Sequence, residues 1–359
     1  MVDPFRRGSQ LYHRVALIAA GLITGLITLG GVVRITGSGL GCGDHWPRCN
    51  GVWFPPLDLA TLIEIGHRWV AALVLLAVAA LTVIAWRRHR ENDQLRKPAT
   101  LALILLVIQI LLGPVIVKLD LPPAVIVIHL LNAMLLLGVV VVAALRSGSS
   151  GGAPVAVRHP DHGLIHGVAG YGFLVILVGG LVANLNAGLL CLGLPFCQGT
   201  LAPPPTGLGA LHWTHRALAY SFAALALYLF VRLRRSGSSL RRPALLVLLA
   251  IAAQVGVGMA MVLSLLPTGL RALHLFTGTL LWIALVNLVY RSSRIPEQVE
   301  GPREAGDPGI VTDLVTLTKP RIISLLLVTT VAPMFITPAG LPSFGQLFWT
   351  IVGGYLMAG

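Results

Sequence analysis

Long apolar runs alternate with short polar segments along almost the whole chain. The runs fall at about 13–33, 63–86, 98–118, 124–145, 163–184, 210–233, 241–265 and 270–291, with a ninth at about 322–338 and a tenth beginning near 346. Each of the first eight is about 20 residues long, with charge concentrated between the runs, which is the length an α-helix needs to cross a bilayer. Helices satisfy their own backbone groups in lipid, and the run length suits helices and not a barrel. The pattern predicts an all-α integral membrane protein with eight spans plus one or two extra C-terminal spans.

Composition agrees with this. The 359 residues are 56% hydrophobic and 11% charged, against roughly 25% charged in a soluble domain. The net charge of +13 would suit nucleic acid, but the basic residues sit in short loops between spans, where they report orientation instead. Arg87, Arg88, Arg90 and Lys97 lie between runs two and three, Arg146 and Arg158 between four and five, and Arg232, Arg234, Arg235, Arg241 and Arg242 between six and seven. The alternate loops, 34–62, 119–123, 185–209 and 266–269, are poor in Lys and Arg. The positive-inside rule then predicts a cytoplasmic N-terminus with the long loops outside; the expected location is a bacterial or archaeal cytoplasmic membrane, crossed several times. The N-terminus lacks a small-residue cleavage site, so the first run reads as a retained helix. Lipid is the expected surrounding, nucleic acid is excluded as a partner, and a homo-oligomer is compatible with the chain.

An internal repeat organises the spans. Cys42 and Cys49 recur as Cys191 and Cys197, His67 as His215, Gln109 as Gln254, and His129 as His274, at offsets of 145 to 149 residues. Gly30-Gly31-Val32-Val33 recurs as Gly179-Gly180-Leu181-Val182. Four spans separate each residue from its copy, so both halves share one orientation. The expected architecture is two tandem pseudo-symmetric four-helix bundles related by an axis along the membrane normal. The first covers 1–150 and the second 151–292, followed by a polar linker at 293–311 and a further membrane segment at 312–359.

His67, His129, His215 and His274 each lie about five residues into an inward-running span, roughly 7 Å below its outer end. Each bundle thus presents two imidazoles at matched depth, an arrangement that ligates one haem iron from both sides. The alternative, a lone histidine bonded to a neighbouring carbonyl, does not account for four at equal depth and in duplicate. Arg68 and Arg216, directly after two of the histidines, are placed to meet haem propionates or to snorkel to lipid phosphate. Glu64 precedes His67 by three residues, and its counterpart in the second half is His212. A carboxylate beside one haem only can move protons or offset developing positive charge; the competing reading is a helix N-terminal charge favoured by the macrodipole. The first half therefore reads as a reaction chamber and the second as a haem held for structure or electron relay.

All four cysteines lie in the outward loops, as two pairs each within one loop. On an oxidising side this predicts disulfides Cys42–Cys49 and Cys191–Cys197. Zinc, with His45 between the first pair, is the rival reading, but these separations are not its usual spacings. A redox role for the first pair stays open.

The stretch Gly30-Gly31-Val32-Val33-Arg34-Ile35-Thr36-Gly37-Ser38-Gly39-Leu40-Gly41-Cys42, followed by Trp46-Pro47-Arg48-Cys49-Asn50-Gly51, resembles the first outer loop of bacterial haem A synthases. Glu64-Ile65-Gly66-His67-Arg68 resembles that family's glutamate–histidine motif, and the similarity covers about residues 10–292. The resemblance implies an oxidoreductase that converts haem O to haem A, oxidising the C8 methyl to a formyl group through successive hydroxylations. It implies that His67 and His129 hold the substrate haem beside Glu64, and that His215 and His274 ligate a resident haem b. It matches Cys42 and Cys49 to the family's outer-loop pair. The electron acceptor and the source of oxygen are not implied.

Asp313-Leu314-Val315-Thr316-Leu317-Thr318-Lys319-Pro320-Arg321-Ile322-Ile323-Ser324 resembles the start of protohaem IX farnesyltransferase, the enzyme that makes haem O. The resemblance covers about 50 residues and lacks that family's aspartate-rich diphosphate motif, so the expectation is a truncated module of a two-enzyme fusion, or a vestige, without prenyltransferase activity of its own. Two other readings compete with the synthase. A di-haem bis-histidine membrane cytochrome, moving electrons from quinol, fits the paired histidines but needs no carboxylate at one haem alone. A haem transporter needs no tightly held second haem.

Overall fold

The computed structural model describes residues 4–56, 58–148, 156–197, 202–204 and 207–296, with short helical stretches at 330–331, 345–346, 349–351 and 353–354. The expected linker beyond 296, most of the ninth and tenth runs, and the farnesyltransferase-like stretch at 313–324 lie outside the described residues. Two compact units are present, Met1–Glu297 and Gln298–Gly359.

The first unit contains eight long helices: α1 (Pro4–Ile35), α2 (Leu59–Arg88), α3 (Asp93–Lys118), α4 (Pro123–Gly148), α5 (His162–Asn184), α6 (Gly207–Arg235), α7 (Arg241–Leu263) and α8 (Thr268–Ser292). All eight are long and apolar enough to cross a membrane, so this is a multi-pass all-α membrane protein. The other regular elements described in this unit are two 3₁₀ turns and the two-residue antiparallel pair β1 (Ala156–Val157) and β2 (Ile295–Pro296).

Several helices outrun their apolar stretches because polar caps extend them. The Asp58 carboxylate accepts the Thr61 N–H at 3.1 Å and starts α2 at Leu59, four residues before the apolar run. This is the side-chain capping that satisfies an otherwise orphaned amide, and it holds the Asp58 carboxyl below the usual carboxylate range. Asn92 caps α3 in the same way, accepting the Gln94 N–H at 3.1 Å.

Helices α1 to α4 pack as a closed ring, each against the next and α4 back against α1; α5 to α8 repeat the arrangement. The rings meet where α1 and α4 lie against α8, and α4 against α5. We call this contact the seam. The repeat extends to the backbone. Gly37 (φ 69) and Asn186 (φ 54) take left-handed conformations ahead of the 3₁₀ turns Ser38–Leu40 and Ala187–Leu189. Asp120 and Leu121 (φ 56 and 60) correspond to Leu265 and Leu266 (φ 58 and 61). Left-handed backbone at paired non-glycine residues is uncommon, and here it aims a leucine at each 3₁₀ turn. A methyl on Gly39 would lie 3.0 Å from Leu121 Cδ1, and one on Gly188 2.8 Å from Leu266 Cδ1.

The seam is packed reciprocally. Leu275, next to His274, fills the space beside Gly31, where an added methyl would lie 2.2 Å from its Cδ2. Leu130, next to His129, does the same at Gly180, at 2.9 Å. Trp282 on α8 donates its indole N–H to the Met134 carbonyl on α4 at 2.8 Å. The buried cluster around Ile23, Val78, Leu137 and Val140 also takes in Val286 of α8, so the apolar core crosses from one ring to the other.

Candidate functional site

Depth along each helix sets the histidines in pairs. His67 lies eight residues past the first residue of α2, and His215 eight past that of α6. His129 and His274 each lie six past the first residues of α4 and α8. At 1.5 Å per residue these depths are about 12 and 9 Å from the cysteine-loop end, deeper than the apolar runs alone suggest, because the helices begin earlier. Within each half the two rings come within electrostatic reach of one another, His67 with His129 and His215 with His274. All four residues are half-buried rather than sealed in the core.

Three features of these pairs indicate a missing partner. The Nδ1 atoms of His129 and His215 are buried without a hydrogen-bond partner, as is that of His274, whose Nε2 meets the Gln254 amide; this costs about 1–3 kcal/mol for each such group. Glycines back the rings: a methyl on Gly30 would lie 3.2 Å from His67 Nε2, one on Gly179 2.7 Å from His215 Cε1, and one on Gly258 3.1 Å from His274 Cε1. Finally, no three His, Cys, Asp or Glu come together as a metal cage among the described residues. Two imidazoles leave a metal short of ligands, so the donor set suits a metal that brings its own equatorial nitrogens, as a haem does.

One turn nearer the cysteine loops, the halves diverge. Glu64 is 5% exposed; its Oε2 accepts the Cys42 N–H at 2.8 Å and its Oε1 accepts from Arg68 Nη2 at 2.5 Å. Arg68 also donates to the carbonyls of His45 (2.8 Å), Pro47 (3.3 Å) and Arg48 (2.8 Å). The Thr61 hydroxyl adds a bond to the Gly41 carbonyl at 2.8 Å. Gly41 presses so closely on the start of α2 that an added methyl would lie 2.6 Å from the Ala60 carbonyl. The loop closed by Cys42–Cys49 is thus clamped onto α2.

In the second half His212 is equally buried, and Arg216 donates from Nε to His212 Nε2 at 3.2 Å. Because Nε2 accepts, the ring proton is on Nδ1, which donates to the Ala187 carbonyl at 3.2 Å. Arg216 further donates to the carbonyls of Gly193 (2.7 Å) and Cys191 (2.5 Å), holding the loop closed by Cys191–Cys197. The clamps are alike in shape and opposite in electrostatics. Glu64–Arg68 is a compensated ion pair, whereas His212–Arg216 pairs a neutral ring with a cation. Arg68 and Arg216, expected at either haem propionates or lipid phosphate, direct donors at these loops.

Sequence reasoning missed the role of the backing glycines and a polar group beside each histidine pair. Gln109 accepts from Asn132 Nδ2 at 2.7 Å, and Gln254 accepts from the Thr277 hydroxyl while its amide meets His274 Nε2 at 3.1 Å. The recurrence of Gln109 as Gln254 was the signal that could have found them.

The chain matches the family model described as "Cytochrome oxidase assembly protein" (COX15-CtaA) over residues 13–62 and 58–286. A haem A synthase of Symbiobacterium thermophilum is 34% identical over 274 residues, 73% of this chain and 89% of that protein. Another, from Shouchella clausii, is 32% identical over 291 residues, 76% of this chain and 96% of that protein. A protohaem IX farnesyltransferase of Thermus thermophilus is 33% identical over 354 residues, 92% of this chain but 57% of that protein. The chain therefore spans little more than half the length of the Thermus protein. It belongs to the COX15-CtaA family of cytochrome oxidase assembly proteins.

Proposed function

We propose that this member of the COX15-CtaA family is a haem A synthase, oxidising the C8 methyl of haem O to a formyl group through successive hydroxylations. The observation that carries the reading is the asymmetry one turn from the matched histidine pairs: a buried, fixed carboxylate at Glu64 and a neutral imidazole at His212. Two identical electron-carrying sites would not need it.

His67 and His129 hold the substrate haem O, and His215 and His274 hold haem b as the resident cofactor. The orphaned ring nitrogens, the glycines behind the rings and the two-imidazole donor sets support both assignments. Haem b, when bound, supplies one-electron redox chemistry. Glu64 offsets positive charge that develops at the reacting edge and takes up protons released there. Arg68 and the Cys42 amide fix where the carboxylate points, so its charge acts without reorganisation. Arg216 does the equivalent mechanical work in the second half, where the neutral His212 ring adds no negative charge.

The basic loops support a cytoplasmic N-terminus, with the cysteine loops on the outer face of a bacterial or archaeal cytoplasmic membrane. The Thermus relative, aligned over 92% of the chain, supports reading residues 312–359 as the beginning of a fused farnesyltransferase module that delivers haem O to the first bundle.

The deciding measurement is haem extraction and mass analysis of the protein expressed in a host that supplies haem O. Haem A or its hydroxylated precursor beside haem b is the expected result. Haem b alone, with haem O present in the membrane, would replace this reading with a di-haem cytochrome.

A further inference from the structure

With Arg68 and Arg216 committed to their loops, the carboxylates of a haem need another partner. Two arginines at the seam have no part in the clamps. Arg34 lies in the last turn of α1, four residues after Gly30, and so on the helix face that backs His67. Arg271 lies in the first turn of α8, three residues before His274 and on the same face. A cation in a helix's first turn opposes the macrodipole, so Arg271 is placed there at some cost.

Arg34 reaches across the seam, donating from Nε to Asn184 Oδ1 at 2.7 Å and from Nη2 to Asn186 Oδ1 at 3.3 Å. Arg271 lies within electrostatic reach of Arg34, where α1 packs on α8. Among the described residues neither takes part in an ion pair. Both depart from the repeat, since the residue equivalent to Arg34 is Ala183 and that equivalent to Arg271 is Ile126. Each half thus contributes one half-buried arginine at the cysteine-loop end, Arg34 four residues from Gly30, which packs on His67, and Arg271 three residues from His274.

We propose that Arg34 and Arg271 form a carboxylate-binding pair that receives haem propionates, Arg271 for the haem held by His215 and His274, and Arg34 for the haem held by His67 and His129. Asn184 and Asn186 orient the Arg34 guanidinium, so the first-half site is completed by second-half residues. A propionate beside each cation accepts a charge-assisted hydrogen bond from it. This rests on the haem reading above.

The test titrates the haem-free full chain in detergent with haem b and with its dimethyl ester, following the bis-imidazole absorption bands. The native chain should bind the free acid about ten- to hundredfold more tightly than the ester, as expected for hydrogen bonds to charged groups. Arg271→Gln and Arg34→Gln should each weaken free-acid binding about tenfold at one site and leave ester binding unchanged, with Arg271→Lys recovering part of the loss. Equal affinity of the native chain for both pigments would overturn the proposal and indicate arginines that serve lipid phosphate. Equal weakening of both pigments in the variants would overturn it as a folding effect. Absence of the bis-imidazole bands with either pigment in the native chain would overturn the haem reading itself, and this proposal with it.

Discussion

The Cys42 backbone N–H donates to Glu64 Oε2 at 2.8 Å, so the residue that closes the first loop's disulfide also aims the carboxylate one turn from His67. Loop, disulfide and candidate catalytic group are one mechanical unit. Arg68 completes it, binding the other carboxylate oxygen and three loop carbonyls.

Glu64→Gln keeps an oxygen for the Cys42 amide but removes the charge that faces Arg68. We expect the variant to retain haem b in the second half and to make no haem A, read by chromatography of extracted haems. Normal haem A production would remove Glu64 from the mechanism.

His215→Ala removes one of the two imidazoles proposed to hold haem b in the second half. The resident haem b should be lost, seen as a drop in pigment per protein, while His67→Ala should keep it. Unchanged haem b in the His215 variant would move the resident site elsewhere.

Gly179→Ala puts a methyl 2.7 Å from His215 Cε1, against a ring that the helix holds in place. Haem b content should fall at least severalfold, the strain of overpacking being about 1–3 kcal/mol. Gly170→Ala on the same helix meets nothing within 4 Å and should be neutral, or stabilising by up to about 1 kcal/mol through helix propensity. Equal haem content in the two variants would show that ring placement does not depend on the bare backbone at Gly179.

Gly31→Ala drives a methyl into Leu275 Cδ2 across the seam. We expect a loss of about 1–3 kcal/mol in stability and a perturbed spectrum of the haem proposed to bind at His274. Adding Leu275→Ala should restore much of both, a coupling that a double-mutant cycle measures. Strict additivity would mean the seam does not transmit packing between the halves.

Much of this protein was legible in its residues alone. Twenty-residue apolar runs specify membrane helices because lipid leaves the backbone no other partner than itself. The recurrence of His67 as His215 and His129 as His274, with Glu64 replaced by His212, was visible as spacing, and depth along a helix follows from counting. The destinations of long side chains were not visible. Spacing left Arg68 and Arg216 to either haem propionates or lipid phosphate; it did not show that the cysteine loops fold back and present carbonyls within 2.5 to 3.5 Å of both guanidiniums. Arg34 and Arg271 are about 240 residues apart in sequence and become neighbours only because α1 and α8 meet at the seam. Helical periodicity determines which face a residue occupies and how deep it lies. Which groups then meet across that face depends on loop folding and inter-helix packing, and these arise only from contacts distant in the chain.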